Sequence, residues 1–570
     1  MTLSKHVDAD KIEDKLLQRR ERSHSRKHLE YLTEYTSEVR APRRQIPDKS
    51  SSGSLIVKYL EEELSLDGVP ELNLATFVST DVDEEPLKLI VRNLTKNLAD
   101  NDEYPSLIEL QSRCISILSS LWHAPKHFDH KSGKHITNTI GTATTGSSEA
   151  ILLAGLALKK NWQAKRQDEG KPTDKPNILM AACAQVALEK FARYFDVEAR
   201  LIHVNESNNH LMDISKIKAN IDENTIGIFV IAGSTFTGAF EPVEKISHIL
   251  DEVQQERGLD IKIHVDGASG GFVAPFVYPH LKWDFDIDRV VSINTSGHKY
   301  GLTTAGLGWV IWRHEKLLPD SVRFKLDYLG GIEETFTLNF SRPGFNVIHQ
   351  YYNLLTYGRE GYANIFNSCL RNARLLSNFL LETKYFDVLS VIHQKLDTSA
   401  KSEIYTRGFD TAYTIPDALA NEDYMPGLPV VSFRFSKSFR EKYPFIPQSI
   451  LSLLLKNRGF IVPNYKLPPD EQEKEVLRVV VRQSLSLNLL EKLMNEITRV
   501  VEILIDATEN IDVATLDGKR SLGERKNVVH NVLLSIASGG AEADKQTKHK
   551  NLNENNEFHK KPTKSYRGTC

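Results

Sequence analysis

Short apolar runs alternate with longer helical patterns between about residues 55 and 535. Runs rich in β-branched residues, each five to eight residues long, occur at 177–182, 200–204, 225–232, 261–265, 289–293 and 307–312. Such runs, separated by helices, are typical of a mostly parallel sheet with right-handed crossovers. The pattern therefore predicts a large α/β domain whose ligands bind at the carboxyl ends of its strands.

The pattern changes after about residue 360, where strand-like runs mix with helices. These runs lie at 429–435, 460–462 and 476–481, and they predict a smaller α+β domain. The predicted division is an N-terminal basic arm or helix at 1–55, a large domain at 56–360, a small domain at 361–510 and a partly disordered tail at 511–570.

Composition narrows the class of protein. Hydrophobic residues make up 40% and charged residues 26% of the chain, which is typical of a globular protein with a sizeable core. The net charge of −3 predicts no general attraction to nucleic acid or to an anionic membrane. The four cysteines form no CxxC pair, and neither a signal peptide nor a bilayer-spanning run is evident. We therefore expect a soluble cytoplasmic protein.

One lysine follows a buried strand pattern and is the first candidate for chemistry. The run 291–301 passes from apolar residues into small ones and places His298 and Lys299 on a turn before a glycine. The three other His-Lys pairs of the chain lie in polar segments, where a solvated lysine is expected. A lysine amine at the end of a buried strand is costly unless it is used, for example as a Schiff base.

Two further features have both a structural and a functional interpretation. Asp266 ends a strand-like run before Gly and Ala, so it is either a cap or a carboxylate that faces a pyridinium nitrogen. Ser147 and Ser148 precede a helical run, where they either begin an ordinary helix or bind a phosphate. A phosphate cradle, an acid and a lysine together match the needs of pyridoxal 5′-phosphate (PLP).

Together with the motifs around these residues, the sequence resembles the glutamate decarboxylases of the bacterial, plant and fungal type. The resemblance covers about residues 55–500 and includes the motifs at 72–77, 121–124, 146–150, 190–195, 235–238, 264–276, 296–301, 306–313, 327–331 and 339–343. It implies the PLP-dependent transferase fold of type I, which is aspartate aminotransferase-like, with a mostly parallel seven-stranded sheet and a small C-terminal α+β domain. It also implies decarboxylation of L-glutamate to 4-aminobutanoate (GABA) and CO2.

The resemblance assigns a role to each matching residue. Lys299 would form the Schiff base, Asp266 would pair with the pyridine nitrogen, and Tyr328 is a candidate proton donor. The remaining cofactor contacts would be Ser147, Ser148, Ser296, His298 and, from a partner subunit, Ser341 at the phosphate, with Gln185, Thr235 and Ala268 around the ring. The substrate contacts would be Thr76, Phe77, Asn97 and Asp100 for the side-chain carboxylate and Arg478 for the α-carboxylate. No metal is expected.

Several alternatives stay open at this point. The same scaffold could decarboxylate aspartate, cysteine sulfinate or an aromatic amino acid, although the match at Thr76, Phe77 and Asn97 favours glutamate. The role of Ser341 implies at least a dimer, and the family also forms hexamers. A basic block before an apolar stripe lies within 516–540. It is either a calmodulin-binding segment of a regulated protein or a C-terminal helix that docks on the protein's own core.

Overall fold

The computed structural model describes residues 11–12, 15, 44–48, 50–129, 134–326, 333–408, 416–469 and 471–510. The basic cluster of the predicted arm, Tyr328 and the tail 511–570 lie outside these residues. The chain divides into two compact units, residues 1–69 and residues 70–570. The first unit contains helix α1 (Gly53–Leu64), in which no residue is buried.

The second unit begins with α2 (Glu84–Arg92), α3 (Pro105–Leu121), β1 (Lys126–Asp129), β2 (Lys134–Thr137), β3 (Ile140–Thr144), α4 (Ser147–Asp168), β4 (Asn177–Ala181), α5 (Val186–Tyr194) and β5 (Glu198–Ile202). It continues with α6 (Ile217–Asn220), β6 (Thr225–Ile231), α7 (Val243–Arg257), β7 (Ile263–Asp266), α8 (Gly270–Val277), β8 (Val290–Thr295), β9 (Gly308–Trp312), β10 (Phe324–Leu326) and β11 (Glu333–Thr335). The last elements are α9 (Phe345–Glu382), β12 (Phe386–Val388), α10 (Thr398–Ile404), α11 (Pro416–Leu419), β13 (Val430–Phe435), α12 (Lys437–Lys442), α13 (Gln448–Asn457), β14 (Asn464–Lys466), β15 (Glu475–Val480) and α14 (Leu487–Asn510).

A seven-stranded sheet in the order β3-β9-β8-β7-β6-β4-β5 forms the centre of the second unit. The strands from β8 to β5 pair in parallel, and β9 is antiparallel to both of its neighbours. The predicted mostly parallel sheet is therefore confirmed. Every residue of β4, β6, β7, β8 and β9 is buried, as expected for strands covered on both faces.

A second sheet of four antiparallel strands has the order β12-β13-β15-β14. It packs with the C-terminal half of α9 and with α13 and α14 around a separate hydrophobic cluster. The run predicted at 460–462 is not a strand: β14 begins only after Pro463, and proline cannot donate to a strand ladder. Ile461 instead makes a single bridge to Asn73.

Helix α9 connects the two hydrophobic clusters. Its first half contributes Val347 and Leu354 to the cluster of the large sheet, and its second half contributes Leu376 and Leu380 to that of the small sheet. The helix leaves helical geometry only at Gly358, whose φ is 55°, a region that glycine tolerates best. Because the helix crosses residue 360 and both sheets share one compact unit, the domain limits predicted from the sequence stay predictions.

The carboxyl ends of the central parallel strands meet at one edge of the large sheet, where ligands of such folds bind. Asp266 is the last residue of β7, and a turn at 297–301 follows β8. No helix in the part of the chain that the structure describes combines the length and apolar character needed to cross a lipid bilayer.

Candidate active site

Lys299 lies in the turn after β8, and its residue is only 2% exposed. Its Nζ atom is 5.5 Å from the centre of the Phe77 ring. It lines a cavity at the carboxyl edge of the large sheet together with Cys183, Gln185, Ile231, Gly233, Thr235, Asp266, Ala268 and Ser269. The amine predicted to react is thus held in a cavity beside Asp266, Gln185, Thr235 and Ala268, four other residues of the predicted site.

Asp266 is 4% exposed, and its Oδ1 atom accepts two hydrogen bonds. The donors are the backbone N–H of Ala268 at 3.1 Å and Nδ2 of Asn294 at 3.0 Å. Burial raises the pKa of Asp266, and the Asn294 hydrogen bond and the nearby charge of Lys299 oppose that rise. Helix α8 begins at Gly270 with Ser269 as its N-cap, so Asp266 does not cap this helix.

The residues predicted around the phosphate meet where α4 begins. Ser147 is its first residue, and its hydroxyl lies 2.6 Å from that of Ser296. A Cβ atom on Gly146 would lie 3.3 Å from the His298 ring, and Gly146 has a φ of 146°. Ser148 is exposed at the same helix end. Backbone N–H groups at a helix N-terminus attract an anion, so this cradle suits a phosphate.

His298 contributes a neutral imidazole to the cradle. Its Nδ1 atom accepts a hydrogen bond of 3.2 Å from the backbone N–H of Leu307. Burial and the neighbouring charge of Lys299 lower its pKa to about 4. At neutral pH the proton therefore lies on Nε2, which leaves this atom as a donor.

Arg478, on β15, connects the small sheet to this cavity. Its guanidinium donates to the backbone carbonyls of Thr235 and Ala75, each at 2.6 Å, and lies 4.8 Å from the centre of the Phe77 ring. The residue is 8% exposed, and its buried Nε has no hydrogen-bond partner among the described residues. A buried donor of this kind costs free energy unless a ligand accepts from it, and a carboxylate is the usual partner of a guanidinium.

Comparison with known proteins identifies the family. Residues 61–396 match the model of the pyridoxal-dependent decarboxylase conserved domain. The chain belongs to the pyridoxal-dependent decarboxylase family. The matched region contains Lys299, Asp266 and the cradle around Ser147.

Individual decarboxylases are similar over most of the chain. A glutamate decarboxylase of Saccharomyces cerevisiae is 44% identical and aligns with 95% of this chain and 92% of its own length. One from Solanum lycopersicum is 42% identical over 84% of this chain and 86% of its own. The solved structure of the Lactobacillus brevis glutamate decarboxylase has a TM-score of 0.70 and 31% identity, covering 81% of this chain and 95% of that one. These findings confirm the resemblance and the fold predicted from the sequence.

The cavity fits the cofactor of a pyridoxal-dependent decarboxylase. PLP needs a phosphate site, an amine and an acid beside its ring nitrogen. The start of α4, Lys299 and Asp266 supply these groups, and Oδ2 of Asp266 accepts no hydrogen bond from the described residues. Gln185, Thr235 and Ala268 line the same cavity, where the ring would lie.

The predicted pocket for the substrate side chain falls into two groups in this decarboxylase. Thr76 and Phe77 belong to the segment 73–80, which contacts Arg478 through Ala75 and the His298 carbonyl through the backbone N–H of Ser79. The other group is Asn97, Asp100 and Ser341. Nδ2 of Asn97 donates to Oδ1 of Asp100 at 3.2 Å and to the Ser341 hydroxyl at 3.3 Å.

Arg482 is a residue of the decarboxylase site that the sequence reasoning missed. Its guanidinium donates to the carbonyls of Asn73 and Val78 and to the hydroxyl of Thr80. It therefore fixes the segment 73–80. A spacing of four residues from Arg478, in an extended run, was the signal that could have placed both side chains on one face.

Proposed function

We propose that this protein is a glutamate decarboxylase that converts L-glutamate to GABA and CO2 with PLP. The observation that carries the proposal is the position of Arg478. Its guanidinium lies over the ring of Phe77, which Nζ of Lys299 also faces, and its buried Nε has no hydrogen-bond partner among the described residues. An amino acid bound there can place its carboxylate at Arg478 and its amine near Lys299. The glutamate decarboxylase relatives, at 38–44% identity over most of the chain, support this substrate.

The residues of the chain would divide the chemistry as follows. Bound PLP supplies an electron sink for the carbanion left when CO2 departs. Lys299 is the amine that attaches the cofactor, and Asp266 holds the proton on the ring nitrogen. Arg478 holds the α-carboxylate so that the bond to be broken lies perpendicular to the ring, which is catalysis by orientation. Tyr328 stays a predicted proton donor, since it lies outside the described residues.

The protein acts as a homodimer in this proposal, because Asn97, Asp100 and Ser341 would complete the site of a second copy. Ser341 is assigned to the phosphate site of the partner subunit. Because Asn97 donates to both Ser341 and Asp100, Asn97 and Asp100 would lie at the same site of the partner subunit. Co-expressed Asn97→Ala and Lys299→Ala chains should then regain activity that neither has alone, because one site per mixed dimer is intact. Equal inactivity of the mixture would contradict this arrangement. A hexamer would be built from such dimers.

Substrate choice tests the proposed function. The full-length protein with PLP should form GABA from L-glutamate with a kcat/KM at least about tenfold above that for L-aspartate or L-cysteine sulfinate. Substrates that differ by one methylene and in their polar contacts are discriminated by about this factor or more. Product identity is read by NMR. A higher kcat/KM for L-aspartate or L-cysteine sulfinate would contradict the assignment of L-glutamate as the substrate.

Replacement of Arg478 tests the α-carboxylate contact. We expect Arg478→Gln to lower kcat/KM for L-glutamate about 30-fold or more, because a carboxylate loses its charged partner in a buried site. Arg434→Gln is the matched control, since Arg434 lies on the neighbouring strand β13 and pairs with Glu206. Steady-state kinetics measure kcat/KM for both variants. A similar loss of kcat/KM in Arg434→Gln would show that Arg478 acts only through the stability of the fold.

Two properties come from the sequence alone. A cytoplasmic location is proposed, and imaging of a tagged chain tests it.

Calmodulin binding at 516–540 is proposed as a regulatory addition, although that segment lies outside the described residues. Activation by calcium–calmodulin of the full chain but not of a chain ending at residue 515 is the expected result, and equal rates with and without calmodulin would exclude it.

A further inference from the structure

A row of polar side chains crosses the core between β7 and β8. Ser292, His264, Asn294 and Asp266 are all buried. The two strands pair in parallel with His264 beside Ser292 and Asp266 beside Asn294. The row therefore runs from inside the sheet to the carboxylate that the proposed function places at the PLP ring.

Three hydrogen bonds connect the row from end to end. The Ser292 hydroxyl lies 2.8 Å from Nδ1 of His264, and Nε2 of His264 lies 2.7 Å from Oδ1 of Asn294. Nδ2 of Asn294 donates to Oδ1 of Asp266 at 3.0 Å. Oδ1 of Asp266 also accepts from the backbone N–H of Ala268, so it is an acceptor and fixes the amide of Asn294 with its nitrogen towards Asp266 and its oxygen towards His264.

The direction of the other two bonds follows from this orientation. The amide oxygen of Asn294 needs a donor, so the proton of the His264 ring lies on Nε2, and Nδ1 accepts from Ser292. The ring is neutral, because complete burial lowers its pKa to about 4. Its edge-on contact with Phe229, at 5.3 Å between ring centres, adds an apolar neighbour. All three donors therefore point towards Asp266, an arrangement in which each bond polarises the next.

We propose that Asn294 is a positioning residue that keeps Asp266 ionised and turns its Oδ2 towards the PLP ring nitrogen, with His264 and Ser292 holding the Asn294 amide in place. This inference rests on the proposed role of Asp266. Burial favours the protonated acid, and the amide of Asn294 opposes this at Oδ1 together with the backbone N–H of Ala268. Among the described residues, the other titratable groups around Asp266 are Lys299 in the turn after β8, Glu241 ahead of α7, His264 of the row and Cys183 in the same cavity. Of these groups, only Lys299 carries a charge that favours ionisation of Asp266.

A similar hydrogen-bond network around a buried asparagine elsewhere in the same sheet provides a control that distinguishes the positioning role of Asn294 from a purely structural role. Nδ2 of Asn177, on β4, donates to Oδ1 of Asp222 at 2.8 Å, and Oδ1 of Asn177 accepts from the Thr225 hydroxyl at 2.8 Å. Asn177 is also completely buried, but neither it nor Asp222 lines the cavity of Lys299. Leucine at either position fills a similar volume and removes the amide.

The test measures PLP binding in the absence of substrate. We expect Asn294→Leu to raise the PLP dissociation constant about tenfold or more and to shift the pH titration of the visible absorbance of bound PLP. The ratio of variant to wild-type dissociation constants should fall as pH rises, because hydroxide then ionises Asp266 without help from Asn294. Asn177→Leu should leave both readouts unchanged. His264→Phe, which keeps a ring but removes its donor, should change them in the same direction, and it replaces Asn294→Leu if that variant does not fold.

Two results would overturn the inference. One is an unchanged dissociation constant and titration in both Asn294→Leu and His264→Phe, and the other is an equal change in Asn177→Leu. Asp266→Asn distinguishes this failure from that of the proposed function. If Asp266→Asn weakens PLP binding while Asn294→Leu does not, only the positioning role fails. If neither variant weakens it, Asp266 does not face the ring nitrogen and both proposals fail.

Discussion

Lys299→Ala should lower the rate of GABA formation from L-glutamate by at least about a thousandfold and remove the visible absorbance of bound PLP. The amine at this position is the one that attaches the cofactor in the proposed function, and alanine has no nucleophile to replace it. Activity and the absorbance spectrum after dialysis against PLP-free buffer measure the two effects together. An active Lys299→Ala protein that keeps its visible spectrum would contradict the assignment.

A lysine outside the cavity controls for the loss of a cation. Lys437 lies on α12, where its side chain is 83% exposed and pairs loosely with Glu441. We expect Lys437→Ala to keep the wild-type rate and spectrum, since surface substitutions of this kind change stability by only about 0.5 kcal/mol or less. A thermal unfolding curve of Lys299→Ala without PLP should resemble that of the wild type without PLP, which separates loss of chemistry from loss of fold.

The second large effect concerns the buried acid. Asp266→Asn should lower kcat about a hundredfold or more with L-glutamate at saturating PLP, because removal of one partner of a buried charged pair costs about 3–5 kcal/mol. The variant keeps the size of the side chain, so the cavity keeps its shape. Steady-state kinetics and the absorbance spectrum measure the change, and a kcat within a few-fold of wild type would show that Asp266 does not control the ring nitrogen.

Asp222→Asn is the control for this second prediction. Asp222 also accepts a hydrogen bond from a buried asparagine, Asn177, and pairs with Arg200, but it does not line the cavity of Lys299. We expect it to lower the free energy of unfolding and to leave kcat unchanged. Equal losses of kcat in the two variants would assign the effect to the fold.

The central strands and the catalytic edge of the sheet could be predicted from the sequence, because each is encoded locally. Apolar runs of β-branched residues mark β4, β6, β7 and β8. Asp266 directly follows the apolar run of β7, and Lys299 lies in the turn after β8. Strand β3 was missed because its five residues include two threonines and a glycine, which weakens the apolar pattern. Strand β12 has only three residues, too few for a periodic signal.

Contacts between distant parts of the chain could not be predicted in this way. Arg478 donates to Ala75, which is 403 residues away, and Asn97 donates to Ser341 across 244 residues. The row from Ser292 to Asp266 depends on the register between β7 and β8, which hydrophobic periodicity does not specify for strands that are buried on both faces. Only the fold brings these groups together.

The location of PLP is the most direct test of the site. Borohydride reduction of the full-length protein with bound PLP should fix the cofactor to the lysine that carries it, and peptide mass spectrometry should find it on Lys299. Reduction after addition of L-glutamate should lower the amount found there, because the substrate amine displaces Lys299. Cofactor fixed to any other lysine, or to none while PLP remains bound, would contradict the active site described for this chain.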